Sequence, residues 1–434
     1  MARPKIAMIG AGSVVFAKTL IGDILLFPEF AECEFALMDI DPDRLWVSEK
    51  MAHKVAEATK TNPTIKAYAD RRAALDGADY CINMIQVGGY KPGTWVDFEV
   101  PKKYGLKQTI ADTLGIGGIF RAVRTVPVII EMCRDMEELC PKVQFLNYTN
   151  PMGINTGAIL RGSKIKTVGL CHGIQGASHT LARYAEIPYE ELTFLAAGIN
   201  HCSWFLKLEH KGKDIYPLIM EKARRGELPE VDGVRIEMML RLGYYGGESP
   251  EHLAEYLPYF IRRDRPDLLE TFHVPIDEYI RRCEKEIEWW EQHKQEMVED
   301  KPIEVRGKSH EYGSLIIHSM ETNTPRIIYG NVLNNGLITN LPPNTCVEVP
   351  CLVDNNGIQP TVVGDLPPQV EAIVQTNVNV QNLTIEACLT RKKEYVYHAA
   401  MFDPHTCAEL TLDEIRALVD DLFEAHGNWI PPMD

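Results

Sequence analysis

The chain has 434 residues, 45% hydrophobic and 24% charged, with a formal charge of −16; this is a globular composition, too apolar for intrinsic disorder and long enough for two or three domains. The acidic balance argues against nucleic acid or an anionic membrane as partner, since either requires a basic face. No apolar run approaches the roughly 18 residues of a membrane span, and eleven cysteines without a CxxC pair point away from a disulfide framework or a zinc knuckle.

A strand candidate at Lys5–Ile9 leaves no room for a signal peptide, so the cytoplasm is the expected compartment. That strand runs into Gly10-Ala11-Gly12, and a helix is expected over 13–27. Strand, glycine turn and helix in this order open a nucleotide-binding βαβ unit. Gly10 permits the tight turn, Gly12 lets the backbone approach a pyrophosphate, and Ser13, Val14 and Val15 bring the helix N-terminus up to it. Val15 stands where the usual third glycine would be, which predicts a helix set slightly further from the sheet. Residues 34–39 form a second strand ending in a carboxylate. Asp39 is in range to hydrogen-bond a ribose 2′-hydroxyl, favouring NAD over NADP because a 2′-phosphate would meet its charge. The plain alternative is a simple glycine turn, with Asp39 capping Asp41-Pro42-Asp43.

A helix over 45–59 and strands near 65–69 and 80–85 continue the alternation, which implies a parallel sheet. Asn83 lies in the fourth strand. Gln86 to Gly93 is a glycine-rich loop holding Lys91, and 109–118 is a second glycine-rich, flexible stretch holding Asp112. A helix from about 119 carries Arg121 and Arg124, and the strand after it ends in Asn147-Tyr148-Thr149-Asn150-Pro151. The strand over 165–171 delivers Cys171, with His172 next, and His201 ends the 195–200 segment. Cys171 and His201 thus share one end of one sheet. Thiolate and imidazole together make a borderline-soft site suited to a divalent transition metal, against the plain alternative of a small core cysteine and a satisfied histidine.

Beyond 205 a charged helical region over 216–240 precedes Glu251-His252-Leu253-Ala254-Glu255-Tyr256, and then a long helix over 276–298 with a solvated face. Strands are expected over 310–365, with turns at Asn334-Asn335-Gly336 and Asn355-Asn356-Gly357, and helices over 367–390 and 412–425. The expected division is a Rossmann-type doubly wound α/β domain over 1–200 and an α+β half over 201–434 for substrate, metal and oligomerisation.

Several of these stretches together resemble glycoside hydrolase family 4, the NAD- and metal-dependent glycosidases, and within it the melibiase-type α-galactosidases. They are Gly10-Ala11-Gly12-Ser13, Met38-Asp39-Ile40-Asp41, Asp112-Thr113-Leu114-Gly115, Asn147-Tyr148-Thr149-Asn150-Pro151, Cys171-His172-Gly173, Gly198-Ile199-Asn200-His201 and Tyr397-His398-Ala399-Ala400-Met401. The resemblance spans essentially the whole chain. It implies a fold related to lactate and malate dehydrogenases, bound NAD with Asn83 and Asn147 among its contacts, and Mn²⁺ held by Cys171 and His201. The implied reaction is oxidation at sugar C3, removal of the C2 proton, elimination of the aglycone, water addition and return of the hydride, an exception to two-carboxylate glycoside hydrolysis. Tyr256 matches the C2 base of several members. Asp112 or His172 is the implied proton donor, because the position after the metal-binding cysteine is histidine here. Asn150 is expected to touch sugar and metal.

The segment 88–93 has one lysine and no arginine, unlike the arginine-rich phosphate site of the family's 6-phosphoglycosidases. An unphosphorylated α-galactoside such as melibiose follows as substrate, acted on by a homodimer or homotetramer. An α-glucoside or a uronide whose carboxylate meets Lys91 or Arg121 is the alternative within the family. A 2-hydroxyacid dehydrogenase using His201 as proton acceptor, and a non-catalytic NAD-binding module, are the alternatives outside it.

Overall fold

A computed structural model describes residues 3–299, 301–305 and 307–434. Among them, one sheet contains β1 (Lys5–Ile9), β2 (Glu34–Met38), β3 (Thr64–Tyr68), β4 (Tyr80–Asn83), β5 (Gln144–Asn147), β6 (Lys166–Gly169), β7 (Leu192–Ile199), β8 (Cys202–His210), β9 (Lys213–Asp214), β10 (Tyr245–Gly246), β11 (Arg326–Leu333), β12 (Cys346–Asp354) and β13 (Gly357–Pro360). The first six lie in the order β3-β2-β1-β4-β5-β6 and pair in parallel. This is the doubly wound order of dinucleotide-binding folds, with its topological switch between β1 and β4. Ile6, Ala7, Met8 and Ile9 of β1 are all buried, as a strand covered by helices on both faces requires.

The sheet does not end at β6. Asn331 of β11 pairs with Gly169 of β6, and β12, β7, β8 and β10 follow antiparallel. Residue 200, where the two halves are expected to meet, lies in the turn between β7 and β8, so backbone hydrogen bonds run straight across it. The halves also share a core below the sheet. Ile119, Phe120 and Val123 of the helix Gly115–Leu139 pack with Val396, Leu418 and Leu422 from the C-terminal helices.

Most expected elements form with ends shifted by a few residues, but three segments differ. Within 310–365, Tyr312–Thr322 is a helix, because its short apolar run, with Ile316 and Ile317 wholly buried, does not by itself distinguish helix from strand. The glycines at 115–118 do not make a flexible stretch: they form the buried first turn of Gly115–Leu139. A Cβ on Gly118 would stand 2.5 Å from the carbonyl carbon of Thr113, so glycine there is what lets the preceding loop lie on the helix. Finally, Glu278–Val298 is not only a solvated face, since Trp290 and Met297 pack against Val14, Val47 and Met51. The helices Glu394–Phe402 and Pro404–Glu409 are additional to those expected.

Candidate active site

At the switch point the chain folds into a cradle for a dinucleotide. Gly10 has φ +86°, and a Cβ there would sit 2.8 Å from the backbone carbon of Met84, so any other residue is both strained and clashing. Ser13 caps the helix Val14–Leu25 without a side-chain hydrogen bond, leaving the first-turn N–H groups to an incoming anion. The Asp39 carboxylate accepts hydrogen bonds from the N–H of Gly12 at 2.7 Å and of Asp41 at 2.9 Å. It therefore ties the glycine turn to the end of β2, while Asp41 itself caps the next helix. Val15, at the position of the usual third glycine, is 54% exposed, so its branched side chain faces outward. Asn83 and Asn147, the expected cofactor contacts, stand at the ends of β4 and β5, and Asn83 Oδ1 has no hydrogen-bond partner among the described residues. Both are wholly buried, and Asn83 Nδ2 donates to Asn147 Oδ1 at 2.9 Å, which clamps the ends of β4 and β5 together.

Cys171 and His201 do meet. Cys171 follows β6, and His201 occupies the β7–β8 turn with φ +62°, a strained conformation for a non-glycine residue of the kind that gathers at functional sites. Cys171 Sγ and His201 Nε2 are 3.3 Å apart. Burial pulls the His201 imidazole down to about 4, so it is neutral and able to ligate. Burial, and then the carboxylates of Glu248 and Glu348, push the Cys171 thiol well above its ordinary value. Such a thiol becomes a ligand when a cation displaces its proton. Glu248 Oε2 lies 3.4 Å from His201 Nε2 and 3.8 Å from Cys171 Sγ.

Asp112 and Asn150 reach the same place from the other side. Asn150 Nδ2 donates to Asp112 Oδ2 at 2.8 Å, Thr113 Oγ1 donates to Oδ1 at 2.8 Å, and His252 Nε2 is 3.5 Å from Oδ1. Burial works to raise the Asp112 carboxyl, but His252 and then Arg121 outweigh it and hold the group well below the usual carboxylate range. Burial likewise works to lower His252, while Asp112 and Glu248 raise it to about 9. The His252 ring is 4.3 Å from that of His201. The loop carrying Asp112 is fixed by the buried Glu255, whose carboxylate accepts from the N–H groups of Thr109, Ile110 and Ala111.

The other expected site residues are spread around this centre. Tyr256 is wholly buried, its ring 6.1 Å from that of His252, and burial followed by the charges of Asp112, Glu255 and Glu248 pushes its phenol well above 10. The side chain of His172 is 73% exposed, with Nδ1 3.6 Å from Glu311. Arg121 is buried and donates to Tyr279 Oη at 3.4 Å. The Lys91 ammonium rests 4.4 Å from the Trp95 ring centroid, on the loop whose Tyr90 Oη donates to Glu284. Arg124 faces away from the site: its guanidinium pairs with Asp97 at 3.0 and 2.6 Å, and Asp97 also meets His426 Nε2 at 2.9 Å.

Sequence reasoning missed Glu248 and His252. Both lie in the short segment leading to Tyr256, four residues apart, and His252 is again four residues before Tyr256, so one helical face carries histidine and tyrosine together. The donor set fits a divalent ion, and several buried polar atoms here have no hydrogen-bond partner among the described residues: the Asn200 amide, His201 Nδ1 and Tyr256 Oη. Such atoms mark a place built to receive a polar ligand.

The comparisons with known proteins place the chain in a family. The family model described as family 4 glycosyl hydrolase matches residues 5–187, and that of the family 4 glycosyl hydrolase C-terminal domain matches 196–406. An α-galactosidase of Bacillus subtilis (strain 168) is 51% identical over 98% of this chain and 99% of its own. The structure of a Thermotoga maritima 6-phospho-β-glucosidase with manganese, NAD⁺ and glucose-6-phosphate superposes with a TM-score of 0.81 at 21% identity, covering 100% of both chains. A lactate dehydrogenase from Eimeria maxima shares the fold more distantly, with a TM-score of 0.56 at 14% identity over 89% of this chain and 96% of its own. Two matching family models that leave only residues 188–195 between them, and a relative alike from end to end, establish that the chain belongs to the family 4 glycosyl hydrolases.

Proposed function

We propose that the chain hydrolyses unphosphorylated α-galactosides such as melibiose, with NAD and Mn²⁺ as catalytic cofactors. The observation that carries this reading is the meeting of a soft pair, Cys171 and His201, with Asp112, Asn150 and His252 at the edge of a dinucleotide cradle. The name of the 51% identical relative supports the sugar, and the absence of arginine from 88–93 speaks against a 6-phosphate. Arg121, buried beside Asp112, favours a galacturonide as second reading.

When bound, NAD supplies reversible hydride transfer at the sugar and the metal supplies Lewis acidity. Cys171 and His201 would hold the metal. Gly10, Gly12 and the helix start at Ser13 to Val15 would hold the pyrophosphate, and Asp39 the adenosine ribose. Asn150 orients the sugar. Asp112 and His252 form the acid–base pair that moves protons beside it, and His172 at the rim serves the departing oxygen. Tyr256 lies one helical turn behind His252. The chain works as a homodimer or homotetramer in the cytoplasm, a state that light scattering after gel filtration checks; no helix among the described residues is long and apolar enough to cross a membrane.

A panel of p-nitrophenyl α-galactoside, α-glucoside and α-galacturonide, with and without NAD, Mn²⁺ and a thiol reductant, tests the reading. Turnover of the galactoside that requires both cofactors is expected. Full activity after removal of nucleotide and metal, or stoichiometric NADH from lactate or malate, would overturn it.

A further inference from the structure

We infer that Glu248 is a third protein ligand of the metal, completing one face of its coordination shell with Cys171 and His201. This rests on the metal reading above and extends it to a residue on a different element, the loop between β10 and the helix Pro250–Glu255.

Three observations carry it. The atoms Cys171 Sγ, His201 Nε2 and Glu248 Oε2 form a triangle with sides of 3.3, 3.4 and 3.8 Å. Metal–ligand bonds of about 2.0–2.3 Å at octahedral or tetrahedral angles set donors roughly 2.8–3.8 Å apart, so the triangle already has the size a first-row ion requires. The Glu248 carboxylate is also aimed. Its Oε1 accepts the N–H of Ser249 at 2.8 Å, which turns Oε2 toward the thiol and the imidazole. Room for it is kept by Gly173, where a Cβ would fall 2.1 Å from Oε2.

Charge is the third observation. Among the described residues, the ion-pair partners of the Glu248 carboxylate are His201 and His252, and no lysine or arginine reaches it. While protonated, the Cys171 thiol donates to Glu248 Oε2 at 3.8 Å; once its proton is displaced, thiolate and carboxylate stand side by side and a cation between them offsets their repulsion. A thiolate, a carboxylate and a neutral imidazole together carry two negative charges, the complement of a divalent ion. Asp112 and His252 stand on the other side of His201, with Asn150 donating to Asp112, where a sugar would be received. Glu248 would thus retain the metal between turnovers, when no sugar is present to help hold it.

The test is Mn²⁺ binding to the NAD-loaded full chain without sugar, read from loss of the electron paramagnetic resonance signal of free Mn²⁺, with NAD affinity and melting temperature as controls of the fold. Glu248→Gln is expected to raise the Kd for Mn²⁺ at least tenfold, Glu248→Asp less, and Gly173→Ala to raise it as well by displacing an otherwise intact carboxylate. Parent-like Kd values in Glu248→Gln and Gly173→Ala, with Cys171→Ser weakened, overturn the inference alone. A parent-like Kd in Cys171→Ser as well overturns the metal site itself.

Discussion

Replacing Arg124 with methionine isolates a feature that couples the helix ending at His426 to the loop over 86–93. Arg124 and Asp97 are 0% and 1% exposed, their two hydrogen bonds are 3.0 and 2.6 Å long, and Arg124 Nε also donates to the carbonyl of Val87 at 3.1 Å. Methionine fills much of the same volume but leaves the Asp97 carboxylate facing His426 alone, in a place water does not reach. Breaking a buried pair from one side costs about 3–5 kcal/mol. Unfolding entropy of about 2.1 cal/mol/K per residue near the melting temperature comes to about 0.9 kcal/mol/K for 434 residues, so Tm should fall by about 3–6 °C. Differential scanning calorimetry on the parent, Arg124→Met and the double variant Asp97→Leu/Arg124→Met measures this. The double variant buries no charge and should recover at least half of the loss. A fall of less than about 1 °C in the single variant, or a double variant that melts below it, would refute the reasoning.

Gly10→Ala should lose NAD binding by at least tenfold in a fluorescence titration, because φ +86° and the 2.8 Å approach to Met84 force the turn to move. In sugar incubated in D₂O, Asp112→Asn and His252→Gln should abolish C2 proton exchange followed by NMR, while Tyr256→Phe retains at least a tenth of the parent rate. The opposite pattern would return the role of base to Tyr256. Asp403 supplies a pH signature: burial pushes its carboxyl up from 3.8 to about 6. The folded state therefore holds that proton more tightly than the unfolded chain, so the contribution of Asp403 to stability is greatest below pH 4, falls as pH rises toward 6 and is flat above. Asp403→Asn keeps an acceptor for the N–H of Thr406 and has no charge to bury, so its advantage over the parent should be absent below pH 4 and grow to about 3 kcal/mol above pH 6. Melting temperatures of the two proteins between pH 4 and 7 check the sign.

The nucleotide half was legible because its signals are local. Lys5–Ile9, Gly10 and Gly12, and Asp39 obey spacing rules set by the turn and the strand, and the structure finds them within a few residues of where those rules put them. Cys171 and His201 were legible as strand-end residues, since two strands that end on one edge of a sheet bring their last residues together. Asn83 and Asn147 were legible for a related reason. They too stand at that edge, where neighbouring parallel strands put their amides opposite each other; Asn83 Nδ2 donates to Asn147 Oδ1, and Asn83 Oδ1 is left without a partner among the described residues.

By itself, the sequence determined the parallel α/β class, the order of the cofactor motif and the residue types able to hold a metal, because each depends on contacts within a few tens of residues. Tertiary structure alone decided that Glu248 and His252 face Cys171, His201 and Asp112, that Glu255 fixes the Asp112 loop, and that β11 joins β6 to make one sheet of both halves. Those meetings span roughly 50 to 160 residues of chain and have no period to read. They form because burying the helices Gly115–Leu139 and Pro368–Thr390 against one sheet leaves the loops at its edge a single common space, and the polar groups enclosed there are satisfied by one another or by a ligand.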